Sequence, residues 1–120
     1  MKKQVYICSP LFDNIKKNIA RADRYRQYAI DRGVSPISIH EDYRVVNWSD
    51  EHQVKKVLEN ALTKIWSSDE LWVMGENITH RMREEIEFCN EFNITVRYIG
   101  SKQIRDGIPV EVSETEKKYV

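Results

Sequence analysis

Val5-Tyr6-Ile7-Cys8-Ser9-Pro10 decides the fold. Four consecutive β-favouring residues halt at Ser-Pro, and the run is too short for a helix. Its unbroken apolar character is that of a strand buried on both faces, which is the signature of a parallel sheet. The same grammar returns at Leu71-Trp72-Val73-Met74-Gly75 and at Thr95 to Ile99. A weaker version spans Val34 to Ile39.

Between these runs the period changes from two to about 3.6. From Phe12 to Arg32, the residues Ile15, Ile19, Ala22 and Ala29 fall on one stripe. Arg26 shares that stripe, an arrangement that suits an edge position with the charged end reaching out. Asp13 or Asn14 caps the start, and Gly33 supplies the left-handed residue after the end. His40 to Asp50 has no clean period and reads as a loop. Asp50 then caps a second helix with a stripe of Val54, Val57, Leu58, Ala61, Leu62 and Ile65. A third helix runs from Thr79 to Phe92 with Met82, Ile86, Cys89 and Phe92 inward.

The order β-α-β-α-β-α-β, with right-handed crossovers, predicts an α/β fold. It is a three-layer, doubly wound, mainly parallel sheet of four to five strands, flavodoxin-like or Rossmann-like. One domain covers residues 1–100. Residues 101–120 read as a C-terminal tail, with Ile108 to Val112 a candidate edge strand before a charged end.

The chain has 120 residues, a hydrophobic fraction of 41%, and 19 basic against 19 acidic residues. Zero net charge argues against a nucleic-acid partner, which needs excess Lys and Arg to displace counterions. The basic spots at Lys16–Lys17, Arg21–Arg26 and Arg81–Arg83 are interleaved with acids or read as solvated helix faces. No apolar run reaches the ~20 residues of a membrane span, and no signal peptide is evident, so a cytoplasmic protein without a membrane partner is expected. Cys8 and Cys89 lie in apolar segments without metal spacing, and they read as small buried hydrophobes. Neither a metal nor a cofactor is expected. Gly-x-Gly-x-x-Gly, the phosphate-loop lysine motif and the serine elbow are all absent.

In doubly wound sheets ligands bind outside the carboxyl ends of the strands, where strand order reverses. That rule singles out Ser9 to Asp13, His40 to Tyr43, and Gly75 to Arg83. Glu85 lies three residues after Met82 and four before Cys89, on the buried side of its helix. An inward carboxylate near the strand ends has either a task or a structural partner such as the Tyr6 hydroxyl. Tyr6 has ordinary core packing as its alternative, Ser9-Pro10 a simple turn, and His40 a structural role. Arg81 and Arg83 occupy a first turn, where a cation gains nothing from the helix dipole, so they point to a nearby anion or to plain solvation.

Together, Val5 to Leu11, Asn18-Ile19, Ala22, Tyr25, Ala29, Pro36-Ile37, His40, Asp69 to Gly75, Thr79, Met82, Glu85-Ile86 and Ile94 to Tyr98 resemble the nucleoside 2-deoxyribosyltransferase-like proteins. The likeness is greatest to their uncharacterised bacterial and phage branch. In the characterised transferases a glutamate of the third helix attacks the anomeric carbon, the base leaves, and a second base or water resolves the covalent intermediate. The resemblance implies that Glu85 is that nucleophile and Tyr6 its orienting residue. Ser9, Pro10, His40, Gly75, Arg81 and Met82 are then substrate contacts for a nucleoside or nucleotide, in a homo-oligomer. Met74 stands where the transferases carry an Asp, and Arg81 where the branch often has Gly. These departures favour the other reading, a non-catalytic module holding a nucleotide-like ligand. A Glu85 that points into a strand-end cleft within hydrogen-bond reach of Tyr6 would support chemistry there; a Glu85 facing solvent, or sealed by an Arg81 salt bridge, would argue for withdrawing the catalytic assignment.

Overall fold

The structure is a computed structural model, and it describes residues 1–107. Its elements are β1 (Gln4–Cys8), α1 (Ile15–Asp31), β2 (Ser35–Ile37), a 3₁₀ turn (Ile39–Arg44), α2 (Glu51–Trp66), β3 (Glu70–Met74), α3 (His80–Glu91), β4 (Thr95–Ile99) and α4 (Ser101–Gly107). The strands form one parallel sheet in the order β2-β1-β3-β4. The doubly wound α/β expectation therefore holds, with four strands among the described residues. The candidate fifth strand, Ile108 to Val112, lies outside them.

Alternation along the central strands builds two cores. Val5 and Ile7 of β1, with Trp72 and Met74 of β3, pack against Tyr28 and Ala29 of α1 and Ile104 of α4. Tyr6 and Cys8, with Leu71 and Val73, pack against Val57, Ala61 and Ile65 of α2 and Met82, Ile86 and Cys89 of α3. Both faces of β1 and β3 are dry, which is why these strands read as continuous apolar runs. The order reverses between β1 and β3, so the crevice for a ligand lies beyond Cys8 and Met74.

The helix starts follow local chemistry. Asn14 caps α1 by accepting from Lys17 N, and Asp50 caps α2 by accepting from His52 and Gln53. Asp13 and Asn14 are both left-handed, with φ of 62° and 75°. The side-chain amide of Asn18, 6% exposed, donates to the carbonyls of Leu11, Phe12 and Asp13 and holds that strained loop. Gly33 takes φ 81°, as expected after α1.

Several expectations need correction. β2 is shorter than Val34 to Ile39. Among the described residues it is an edge strand bonded to β1 alone, and it contains Pro36, which has no N–H for an outer partner. The chain then turns into the 3₁₀ segment where a loop is expected, burying Ile39, His40 and Tyr43. Leu62 and Phe92 are exposed rather than inward, at 42% and 45%. Phe92 stacks instead with Trp66 and Phe88 at the rim of α2 and α3. Arg26 meets Glu41 at 2.8 Å rather than reaching only water. The first residues of the expected tail form α4. Its amino end is held by Glu76, which accepts from the Ser101 backbone at 2.8 Å, and Ile104 anchors it below α1. A single buried residue gives no periodic signal, so α4 is invisible to pattern.

Candidate active site

β1 sets the floor of the site. Tyr6 and Cys8 are two residues apart and so project from the same face, toward α3. Thr79 fixes the start of α3 by accepting from Met82 N at 3.3 Å. One turn in, Arg81 and Glu85 sit four residues apart on the side that meets β1. Glu85 is 3% exposed. Its Oε2 accepts from Tyr6 Oη at 2.9 Å and from Arg81 Nη1 at 2.6 Å. Among the described residues, its Oε1 accepts from the Cys8 thiol alone, at 3.3 Å. The Arg81 guanidinium also donates through Nη2 to the Ser9 carbonyl, tying α3 to the loop after β1.

Both outcomes weighed from the sequence therefore occur together. Glu85 reaches Tyr6, and Arg81 closes over Glu85. Burial pushes the Glu85 carboxyl up, against the opposing pull of Arg81, Cys8 and Tyr6. Burial and then the Glu85 charge raise Tyr6 well above the usual phenol range and do the same to the Cys8 thiol. Burial works against the charged Arg81, but Glu85, Tyr6 and Cys8 more than offset it and hold the guanidinium charged. The cluster is thus a carboxylate facing one cation and two neutral donors. Of its two oxygens, Oε1 carries the weaker bond, because a thiol is a poor donor.

The other expected site residues separate into three places. Ser9 and His40 are buried beside each other, with His40 Nε2 lying 3.3 Å from Ser9 Oγ and 2.9 Å from the Pro10 carbonyl. A carbonyl can only accept, so Nε2 carries the proton. Burial lowers His40 to about 4, leaving it neutral near pH 7. Met82 is fully buried in the core and offers no surface to a ligand. Pro10 and Gly75 line a cleft of about 410 Å³ with Tyr25, Met74 and Asn77, on the α1 and α4 side. Arg81 and Glu85 instead line a groove of about 430 Å³ between α2 and α3, walled by Leu58, Leu62 and Phe88. The expected residues thus straddle the sheet rather than lining one pocket.

The roles of two contributors escaped the sequence reading. Read from the sequence, Cys8 is a small buried hydrophobe; its parity with Tyr6 is the signal that it faces Glu85. Asn18, which holds the loop beyond β1, enters the sequence reading only through the family resemblance, with no structural role given by its position, because an Asn in a first helical turn ordinarily faces water. Among the described residues, no group of three His, Cys, Asp or Glu side chains is placed to hold a metal ion, and no helix is long and apolar enough to cross a membrane.

The same architecture occurs in a 2-deoxyribosyltransferase from Bacillus psychrosaccharolyticus, with a TM-score of 0.65 and 19% identity, over 88% of this chain and 82% of that one. A conserved protein from Enterococcus faecalis V583 is also similar, with a TM-score of 0.57 and 18% identity over 82% of this chain; the chain spans 63% of that protein's length. At such identities the likeness establishes a deoxyribosyltransferase-like fold. No curated protein matches the sequence. Residues 3–99 do match a family, and the chain accordingly belongs to the one described as a domain of unknown function (DUF7768).

Proposed function

We propose that the protein cleaves or transfers the N-glycosidic bond of a nucleoside or nucleotide, with Glu85 as nucleophile and Tyr6 as its orienting residue. The observation that carries this reading is the buried hydrogen bond of 2.9 Å from Tyr6 Oη to Glu85 Oε2 beside the strand ends. A carboxylate fixed through one oxygen keeps the other for attack. Glu85 Oε1 forms a bond to the anomeric carbon as the carbon–nitrogen bond breaks, and the departing base takes the electron pair and then a proton from solvent. Water or a second base then attacks the same carbon, and the carboxylate is released. Arg81 has to leave Glu85 before a sugar can approach, so the resting arrangement is a closed one.

A second reading is favoured by that same closure. The 2.6 Å ion pair to Arg81 neutralises the carboxylate, and Met74 supplies no polar group at the strand end. The fold would then hold a nucleotide-like ligand without turning it over. Release of free base from a panel of nucleosides and 5′-nucleotides, followed by chromatography, separates the two. Catalysis predicts release that vanishes in Glu85→Gln and is weakened in Tyr6→Phe. Binding that persists in Glu85→Gln, with no base released by the parent protein, removes the catalytic assignment.

A further inference from the structure

A second cavity lies across the sheet from Glu85, and no part of the glycosidic reading uses it. It measures about 230 Å³ and lies between α1 and α4, lined by Arg21, Arg24, Tyr25, Ser101, Ile104 and Arg105. Arg21, Tyr25 and Ser101 also line the cleft at the ends of β1 and β3, so the two hollows adjoin.

The charges in this cavity are unbalanced. Arg26, Arg44, Arg81 and Arg97 each meet a carboxylate. Arg21 and Arg24 meet none among the described residues, although the chain as a whole is neutral. Arg105 has only Asp106, at 3.9 Å. Tyr25 is half-buried, and its hydroxyl has no hydrogen-bond partner among the described residues. Gly75, left-handed with φ 82°, brings the backbone close: a Cβ there would lie 3.8 Å from Tyr25 Oη and 3.7 Å from Ser101 Oγ. The one carboxylate in the adjoining cleft, Glu76, is already engaged by Ser101 through both N and Oγ.

From this convergence we infer that the cavity takes the phosphate group of a small phosphomonoester, held by Arg21, Arg24, Arg105 and the Tyr25 hydroxyl. Planar guanidinium forks suit phosphate oxygens, and a phenol adds a neutral donor. The rest of the ligand lies along the strand-end cleft past Gly75. The concavity suits a single phosphate group better than a nucleic-acid backbone, which needs an extended basic track.

The test is chemical-shift mapping of the amide resonances with ribose 5-phosphate as probe, and with ribose and a short single-stranded oligonucleotide alongside. Ribose 5-phosphate is expected to shift Arg21, Arg24, Gly75, Ser101 and Arg105 saturably, and ribose to leave them unmoved. The Arg21→Gln/Arg24→Gln double variant changes two exposed, unpaired side chains and retains the fold. It should weaken binding at least about tenfold, and added salt should weaken binding to the parent protein. Glu85→Gln should bind like the parent, which separates this site from the glycosidic reading. No saturable shift, shifts confined to Arg81 and Glu85, undiminished binding in the double variant, or tighter binding of the oligonucleotide at the same residues would each overturn the assignment.

Discussion

Two glutamates lie buried at opposite ends of this sheet, and they titrate in opposite directions. Glu70 begins β3 and is 5% exposed. It accepts from Arg97 Nε at 2.8 Å and Nη2 at 3.2 Å, from Lys3 at 2.8 Å and from the Trp72 indole at 2.9 Å. Arg97, then Lys3 and Trp72, outweigh burial and lower its carboxyl to about 2. Glu85 is 3% exposed and also meets a cation, yet burial wins and its carboxyl is raised. The difference lies in the partners. Glu70 is met by two cations whose side chains are about half in water, so ionisation is cheap there. Glu85 shares its space with a phenol and a thiol, and its single cation is only 12% exposed. One carboxylate is saturated by half-exposed cations; the other is buried and costly to keep charged.

The sharpest way to break this contrast is turnover. Glu85→Gln should lower base release by about a thousandfold or more, on the order of 4 kcal/mol of barrier, whereas Glu70→Gln should leave it unchanged. Equal losses in the two variants would assign Glu85 a merely structural part.

Stability provides the next test. Arg81→Ala strands a buried carboxylate and should cost about 3 kcal/mol or more in urea unfolding near pH 8. Arg97→Ala, at a half-exposed pair, should cost far less, because water screens that charge. The sign of the pH dependence follows from the raised Glu85 carboxyl. A protonated Glu85 needs no counterion, so the Arg81→Ala deficit should shrink as pH falls through the folded-state value and grow as pH rises through it. A deficit independent of pH would contradict the assignment of the cost to Glu85.

Acid should loosen the carboxyl end of the sheet first. His40 moves from 6.5 in the unfolded chain to about 4 in the fold. A base with a lowered folded value contributes stability above its unfolded value and loses it as pH falls through the window between the two. At ~1.4 kcal/mol per pH unit this is at most about 3 kcal/mol, lost between about pH 6.5 and 4. Glu70 holds its contribution until below about 4.5 and loses it toward 2. Hydrogen exchange should therefore rise around residues 38–44 before it rises around 69–72, and His40→Gln should flatten the loss above pH 4.5. Simultaneous opening at the two ends would undo the distinction.

The smallest effect concerns the loop beyond β1. Asn18→Ala removes the amide that holds the Leu11, Phe12 and Asp13 carbonyls and should cost about 1–2 kcal/mol. Amide protection should fall across residues 9–14 and be unchanged at Glu70.

Legibility tracked the range of each interaction. The strands at Val5 to Cys8, Leu71 to Met74 and Thr95 to Ile99 were readable, because burial on two faces demands continuous apolar runs. The cap at Asp50 and the left-handed Gly33 were readable, and the α1 cap was narrowed to Asp13 or Asn14, because each is set by a few neighbouring residues. Leu62 and Phe92 misled, because a helical stripe says which residues share a face but not how far the covering neighbour extends. The inward placement of Glu85 was legible from its spacing to Met82 and Cys89. Its partnership with Tyr6 was only one of several alternatives, since the two are 79 positions apart.

By itself, then, the sequence determined the β-α-β-α-β-α-β order up to β4, the parallel sheet and the inward face of α3, because periodicity and capping are local and repeat along the chain. Only the tertiary structure decided that Arg81 closes over Glu85, that Cys8 joins it, and that Pro10 and Gly75 belong to a different cleft. It alone brought Arg21 and Arg24 beside Arg105. Each of these depends on which side of one sheet a loop or helix packs, and side-chain distances between remote segments are set by that packing, with no trace in local pattern.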